Sequence, residues 1–187
     1  MLLWYKNNST AMITELIFWS DYYSSIISPF YDYSTGVTAD TYRTSPIVSR
    51  DINSDGIVEI PLDASFDDCP NAIIPVNWKT YKNTVLIHTC YSLVNAKDGY
   101  IIVIPDNKFN GLSIKYDETN CVLSISEKSK KQAQYEIKTV KKSVYDKEKS
   151  HYSNYTKVFE NAANVCLVKV KGEEINVKTI ADAIVEY

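Results

Sequence analysis

An α+β fold, mostly antiparallel β, is what the sequence predicts, and three observations predict it. Short runs rich in β-branched and aromatic residues recur along the 187-residue chain, separated by Pro, Gly, Asn and Asp. The first 94 residues hold no helical period of useful length. Helical spacing of apolar residues is clear only near the C-terminus, at Val177, Ile180, Ala181 and Ile184. The composition, 45% hydrophobic and 23% charged, is that of a folded chain rather than a disordered one. Its length suits one domain or two small ones, with a core that needs no staples.

Charge divides the chain. Residues 1–94 carry five Lys and Arg against ten Asp and Glu, a net of −5, whereas residues 95–187 carry fifteen against thirteen, a net of +2. The boundary falls at the polar turn cluster Asn95-Ala96-Lys97-Asp98-Gly99. The first part, 1–94, reads as β-rich. Leu2 to Tyr5 and the residues after Ser9 predict a hairpin about Asn7-Asn8-Ser9. Ile13 to Trp19 is a strand candidate, polar only at Thr14 and Glu15. Tyr22, Tyr23, Tyr31, Tyr33 and Tyr42 follow in short segments broken by Pro29 and Pro46. Ile57 to Ile60 predicts a strand stopped by Pro61, and Asp63 to Pro75 a loop. Val76 to Tyr81 and Thr84 to Tyr91 predict a hairpin turning at Lys82-Asn83.

The second part, 95–187, reads as a small α+β module. Ile101 to Ile104 is a continuous apolar run ending at Pro105, the pattern of a strand buried on both faces. Leu112 to Tyr116 and Cys121 to Ser126 alternate about a turn at residues 117–120, and Tyr135 to Val140 and Val165 to Val170 add further strands. Helices are expected over Lys149 to Ala163 and over Val177 to Tyr187, the latter with Asn176 as N-cap. The result is a small antiparallel sheet covered by one or two helices.

Composition also excludes chemistry. Five glycines cannot supply a family of phosphate-cradling loops, and two histidines cannot supply a His-rich metal centre. Cys69, Cys90, Cys121 and Cys166 form no C-x-x-C pair and are too sparse for a disulfide scaffold, so they read as ordinary thiols. The apolar start stops at Lys6, short of a signal h-region, and Thr10 to Trp19 is too short to span a bilayer. A chain that opens inside a hairpin is expected to be the C-terminal piece of a longer protein. Its home is then extracellular or at the cell surface if the parent is secreted, and cytoplasmic if the chain is complete as given.

One stretch carries chemistry. In Asp51-Ile52-Asn53-Ser54-Asp55-Gly56-Ile57-Val58-Glu59, oxygen side chains stand at positions 1, 3, 5 and 9, with glycine at 6 and the Ile57 carbonyl at 7. Ca²⁺ takes about six to eight oxygen ligands at roughly 2.3–2.6 Å, and a tight loop presenting alternate residues inward can supply them. Glycine permits the sharp turn. The spacing matches the first half of an EF-hand loop, but the twelfth position is Leu62 and the flanks look like strands rather than helices. A strand–loop–strand calcium loop with a structural role is therefore expected. The alternative is an Asp-Gly turn whose acids face water.

The segment from Tyr42 through Asp51 to Pro61 resembles the calcium-loop repeats of integrin-type β-propellers, the FG-GAP or VCBS-like repeats. The order of a D-x-N-x-D-G-x-x-E-I-P loop, a hairpin around Trp78 and Asp98-Gly99-Tyr100 to Pro105 is similar to the C-terminal part of secreted Gram-positive lipoproteins. The Asp98-Gly99-Tyr100 start is similar to the opening of PsbP-like domains. This resemblance implies Asp51, Asn53, Asp55 and Glu59 as side-chain ligands of a structural Ca²⁺, with Ile57 through its carbonyl. The chain departs from the repeat in ending on Glu59 rather than Asp, and a single loop cannot make a propeller.

Other signals are weaker. His88 and Cys90 share a strand face, but their spacing does not favour a catalytic dyad. The pairs Asp67-Asp68, Asp117-Glu118 and Glu173-Glu174 do not face one another across a substrate. Lys128 to Lys149 holds eight lysines diluted by acids and without arginine, which fits a guarded sheet edge better than nucleic-acid binding. Fifteen tyrosines and three tryptophans could form a stacking platform for sugar or peptide. The expected function is non-catalytic binding or scaffolding outside the cell, with a cell-surface protein or polysaccharide as partner. Two alternatives stand beside it: a carbohydrate-binding accessory module of a secreted hydrolase, and an intracellular interaction domain without metal.

Overall fold

The computed structural model describes residues 2–6, 9–35, 37–38, 40–82, 84–130, 132–171 and 176–187. Strand makes up 46% and helix 12%, which fits a β-rich α+β protein of antiparallel sheets. The chain divides into two compact units, Met1–Ala64 with Val76–Cys90, and Ser65–Pro75 with Tyr91–Tyr187. The expected parts met at 94/95. The units divide earlier, inside a strand between Cys90 and Tyr91, and Ser65–Pro75 goes with the second.

The first unit is built of hairpins. β1 (Leu2–Lys6) pairs antiparallel with β2 (Ser9–Ile13), with Leu2 opposite Ile13. The expected turn at Asn7-Asn8 lies outside the described residues. The expected strand from Ile13 to Trp19 is not formed as such. β2 ends at Ile13, and Thr14 leaves the ladder because its amide donates to Thr41 Oγ1, which donates back to the Thr14 carbonyl. Strand resumes as β3 (Phe18–Ser20), paired with β4 (Ser25–Ile27), and a short pair follows, β5 (Tyr31–Asp32) with β6 (Val37–Thr38).

Pro61 does not stop a strand; it lies inside β7 (Ile60–Asp63). β7 is the last strand of its sheet, where a missing N–H is tolerated. β8 (Ile74–Lys82) pairs with β7, setting Trp78 opposite Pro61, and is followed by β9 (Val85–Asn95) as its other neighbour. Asn83 of the expected turn lies outside the described residues, and Thr84 beside it has a φ of 68°. Trp78, Val76 and Ile47 are fully buried. Burial of each such side chain contributes roughly 1.5–3 kcal/mol.

In the second unit, β10 (Tyr100–Ile104) is the buried apolar run anticipated from sequence, paired with the Tyr91–Asn95 end of β9. A single turn of helix, α1 (Asp106–Phe109), leads to the second sheet. That sheet holds β11 (Leu112–Asp117), β12 (Val122–Glu127), β13 (Tyr135–Lys141), β14 (Thr156–Glu160) and β15 (Asn164–Val170), in the order β11-β12-β13-β15-β14. Alternation in β11 and β13 puts Leu112, Ile114, Tyr135 and Ile137 on the buried side.

The helices differ from expectation. Lys149 to Ala163 is not helical as a whole. Helix α2 (Lys142–Lys147) comes before it, a 3-10 turn occupies Lys149–Tyr152, and β14 takes Thr156–Glu160. The physical cause is that Tyr145, Tyr152 and Tyr155 pack on Val140, Val165 and Leu167, while β14 finds a pairing partner in β15. At the C-terminus, α3 (Val177–Asp182) starts where expected, with Asn176 Oδ1 accepting from the Lys178 amide at 2.9 Å. It ends early because Ile184–Glu186 forms β16 along β10, burying Ile184 opposite Ile102.

Candidate functional site

The acidic loop of the first unit is closed at its base by one antiparallel bridge, Arg50 to Glu59, with amide–carbonyl bonds of 3.1 and 2.9 Å. The flank before the loop, Pro46 to Ser49, is irregular; of the expected strand Ile57 to Ile60, residues 57 and 58 are irregular, Glu59 forms the bridge and Ile60 opens β7. Within the loop the acids fold onto its own amides. Asp51 Oδ1 accepts from the Asp55 amide at 3.1 Å and Oδ2 from the Gly56 amide at 2.9 Å. Asn53 Oδ1 accepts from the Asp55 amide, Asp55 Oδ1 from the Ile57 amide, and Asn53 Nδ2 donates to Asp55 Oδ2. Gly56 at φ 86° and Ser54 at φ 61° make the reversal.

Of the five expected ligands, Asp51, Asn53 and Asp55 are brought together by these bonds. Each of their oxygens spends one lone pair on an N–H and keeps another. Neither Asp51 nor Asp55 is paired with a lysine or arginine among the described residues. The Ile57 carbonyl accepts no hydrogen bond from them. Glu59 is arranged differently. It is fully buried, and its carboxylate ties the Ile52 amide at 3.0 Å to Thr80 Oγ1 at 3.4 Å on β8. Among the described residues no three His, Cys, Asp or Glu side chains group at metal-holding distance. A cation held by the loop would therefore rest on Asp51, Asp55, the Asn53 amide oxygen, the Ile57 carbonyl and water, with Glu59 beneath as a strut. The donor set is oxygen throughout, which suits Ca²⁺.

Under the loop's approach lies a residue that sequence reasoning passed over. Arg43 is fully buried; its Nε donates to the Ile47 carbonyl at 2.9 Å, and Nη1 to Thr14 Oγ1 and the Thr41 carbonyl. Asp63 accepts from the amides and hydroxyls of Thr44 and Ser45. Burial pushes the Asp63 pKa up, but these hydrogen bonds outweigh it and leave the carboxyl below its ordinary value. An arginine in a polar stretch gives no sequence signal of burial.

The same unit exposes an aromatic run. Trp19 is 60% exposed, Tyr22 88% and Tyr33 78%, with Tyr23 and Phe18 beside them. Tyr22 and Tyr23 meet edge to face, as do Tyr31 and Tyr33. Trp19 Nε1 donates to Asp21 at 2.9 Å. The other sequence candidates are separate. His88 Nδ1 bonds Asn77 Oδ1 across β8 and β9 at 2.7 Å. Asp67 pairs with Lys128 and Glu118 with Lys97, while Glu173-Glu174 and Lys131 lie outside the described residues. The lysine run is largely matched: Lys142 binds Glu160, and Lys149 lies near Asp146 and over the Tyr145 ring. All four cysteines are free, and burial pushes the Cys166 thiol up to about 12. No helix among the described residues is long and apolar enough to cross a membrane.

The chain matches no protein-family model, no curated protein and no solved structure.

Proposed function

We propose that the protein is a non-catalytic binding or scaffolding module, stiffened by Ca²⁺ at the Asp51–Glu59 loop and working outside the cytoplasm. The observation that carries this reading is the loop itself. Two carboxylates without a basic partner among the described residues curl with Asn53 around one reversal, their remaining lone pairs left for a hard cation. The extracytoplasmic home, and descent from a surface lipoprotein, rest on the resemblance of the loop and its order to such proteins. The ion's part is to hold the Arg50–Glu59 bridge closed, not to react.

The test is thermal unfolding in excess EDTA and then in millimolar CaCl₂, with Mg²⁺ as control. A ligand binding only the native state at about 100 times its Kd adds roughly 2.7 kcal/mol. That is a rise of several degrees for a chain of this size, on the order of 5–10 °C. The rise is expected to be Ca²⁺-specific and to vanish in Asp51→Ala. Absence of a shift in folded protein would remove the metal from the reading.

A second reading is favoured by the exposed Trp19, Tyr22, Tyr23 and Tyr33: an accessory face for polysaccharide, on which flat rings stack against sugar. Saturable binding to a glycan array, lost in a Trp19→Ala, Tyr22→Ala double variant with unchanged melting, is the outcome expected of it.

A further inference from the structure

The β3–β4 hairpin forms a two-stranded sheet of its own, and its ladder sets Trp19 directly opposite Ile26. Both side chains stand in solvent, Trp19 at 60% and Ile26 at 67% exposure. Tyr22 and Tyr23 occupy the turn between the strands and meet edge to face at 4.8 Å. A two-stranded hairpin is marginal in water, and soluble surfaces seldom leave large apolar side chains grouped without a use.

A carboxylate stands among these rings. Asp21 Oδ1 accepts from Trp19 Nε1 at 2.9 Å, which fixes the indole edge and leaves its face open. Asp21 is exposed, and its Oδ2 accepts no hydrogen bond from the described residues. The pairing recurs where Tyr31 and Tyr33 flank Asp32, whose oxygens accept from Ser34 and Thr35. Neither aspartate has a basic partner among the described residues, and residues 7–42 contain no Lys, Arg or His.

Charge sorts the occupants. An anionic polymer, or the same hairpin of a second copy, would bring like charge to Asp21 and Asp32. A neutral sugar can stack on the rings but offers Asp21 only a neutral donor. An ammonium offers a charge-assisted bond, roughly twice as strong, and is drawn to the ring faces as well. A lysine side chain would have to immobilise its flexible stem to do this, whereas an amino sugar carries the ammonium on the ring that stacks.

We propose that the β3–β4 hairpin binds a polysaccharide whose sugars carry free amines, a glucosamine polymer. Its rings stack on Trp19 and Tyr22, and an ammonium bonds Asp21 Oδ2. This rests on the polysaccharide reading of the aromatic face and names the class of sugar it takes.

Glucosamine hexamer is the probe, titrated calorimetrically into the whole chain at about pH 6, above the ordinary carboxylate range, and about 0.15 M salt. The N-acetylglucosamine hexamer, a galacturonate hexamer and hexalysine are the comparisons. Saturation by the glucosamine hexamer is expected, about tenfold tighter than by its N-acetylated form, with none by galacturonate or hexalysine. Asp21→Asn, which keeps an acceptor for Trp19 Nε1, is expected to bring the two hexosamine oligomers to equal affinity. The Trp19→Ala, Tyr22→Ala double variant is expected to lose both with unchanged melting. Equal binding of the two oligomers by wild type, or a preference that survives Asp21→Asn, overturns the amino-sugar assignment and leaves the polysaccharide reading standing. Hexalysine binding as tightly as the glucosamine hexamer overturns it in favour of a cationic peptide. If folded protein binds neither oligomer and no glycan on an array, both readings fall.

Discussion

The Asp51–Glu59 loop of the first unit and the Asp117–Asn120 turn of the second both begin with an aspartate that accepts from amides ahead of it. In the second unit Asp117 takes the Thr119 and Asn120 amides on one oxygen and Asn120 Nδ2 on the other. The Asn120 side chain and backbone, with Lys138 nearby, hold its carboxyl below the usual range, and the chain re-enters β12 at Val122. Its charge is answered by its own surroundings. In the first unit a second carboxylate, Asp55, is folded into the same reversal, and among the described residues only amide groups hydrogen-bond to either one. Both turns hold a second acid, Glu118 in one and Asp55 in the other. What separates them is that Glu118 pairs with Lys97, whereas Asp55 is folded onto the same reversal as Asp51 and pairs with no lysine or arginine among the described residues.

Variants of the two turns sharpen this contrast. The largest effect is expected from Glu59→Ala, which strips the partner from the Ile52 amide and the Thr80 hydroxyl beneath the loop and leaves a void. A loss of about 3 kcal/mol in denaturant unfolding is expected, with Glu59→Gln recovering part of it. Next is the roughly 2.7 kcal/mol of Ca²⁺-dependent stability that Asp51→Ala should remove. Gly56→Ala meets no side-chain clash but must hold φ near 86°, at a cost of about 1–2 kcal/mol read as a lower denaturation midpoint.

A smaller effect concerns acid. The folded Asp63 pKa is depressed, so its contribution is full above the unfolded value of about 3.9 and is lost as pH falls through the folded one. Asp63→Asn should flatten the stability–pH curve below about pH 4, by no more than about 1 kcal/mol because the group is partly exposed. The smallest effect is expected from Asp117→Asn, which should leave the Ca²⁺ response of the melting curve unaltered. A Ca²⁺ response carried by Asp117 would dissolve the distinction between the two turns.

Much of the strand pattern was legible because its signal is local. Leu112 to Tyr116 and Tyr135 to Val140 alternate, and each buries one side; Ile101 to Ile104 is uniformly apolar and buried. Asn176 could be read as a cap because its side chain acts two residues away. In the candidate loop, Asp51, Asn53 and Asp55 were legible for the same reason. The inward turn of Glu59 was not, since its partner Thr80 is 21 residues distant. Residues 156–160 were misread because apolar positions at mixed spacing suit helix or strand until β15 offers an edge. The fate of Arg43 depended on neighbours from other strands, which no spacing encodes.

By itself, then, the sequence determined the β-rich class, the hairpin order, the cap at Asn176 and the oxygen spacing of the acidic loop. These follow from φ/ψ preferences and side-chain periods acting over a few residues. Only the tertiary structure decided that Ile184–Glu186 closes onto β10, that Glu59 serves as a strut, and that Trp19 and Tyr22 stay in solvent. Each of those outcomes is set by which surfaces meet across the chain, and burial energy follows that meeting rather than the local order of residues.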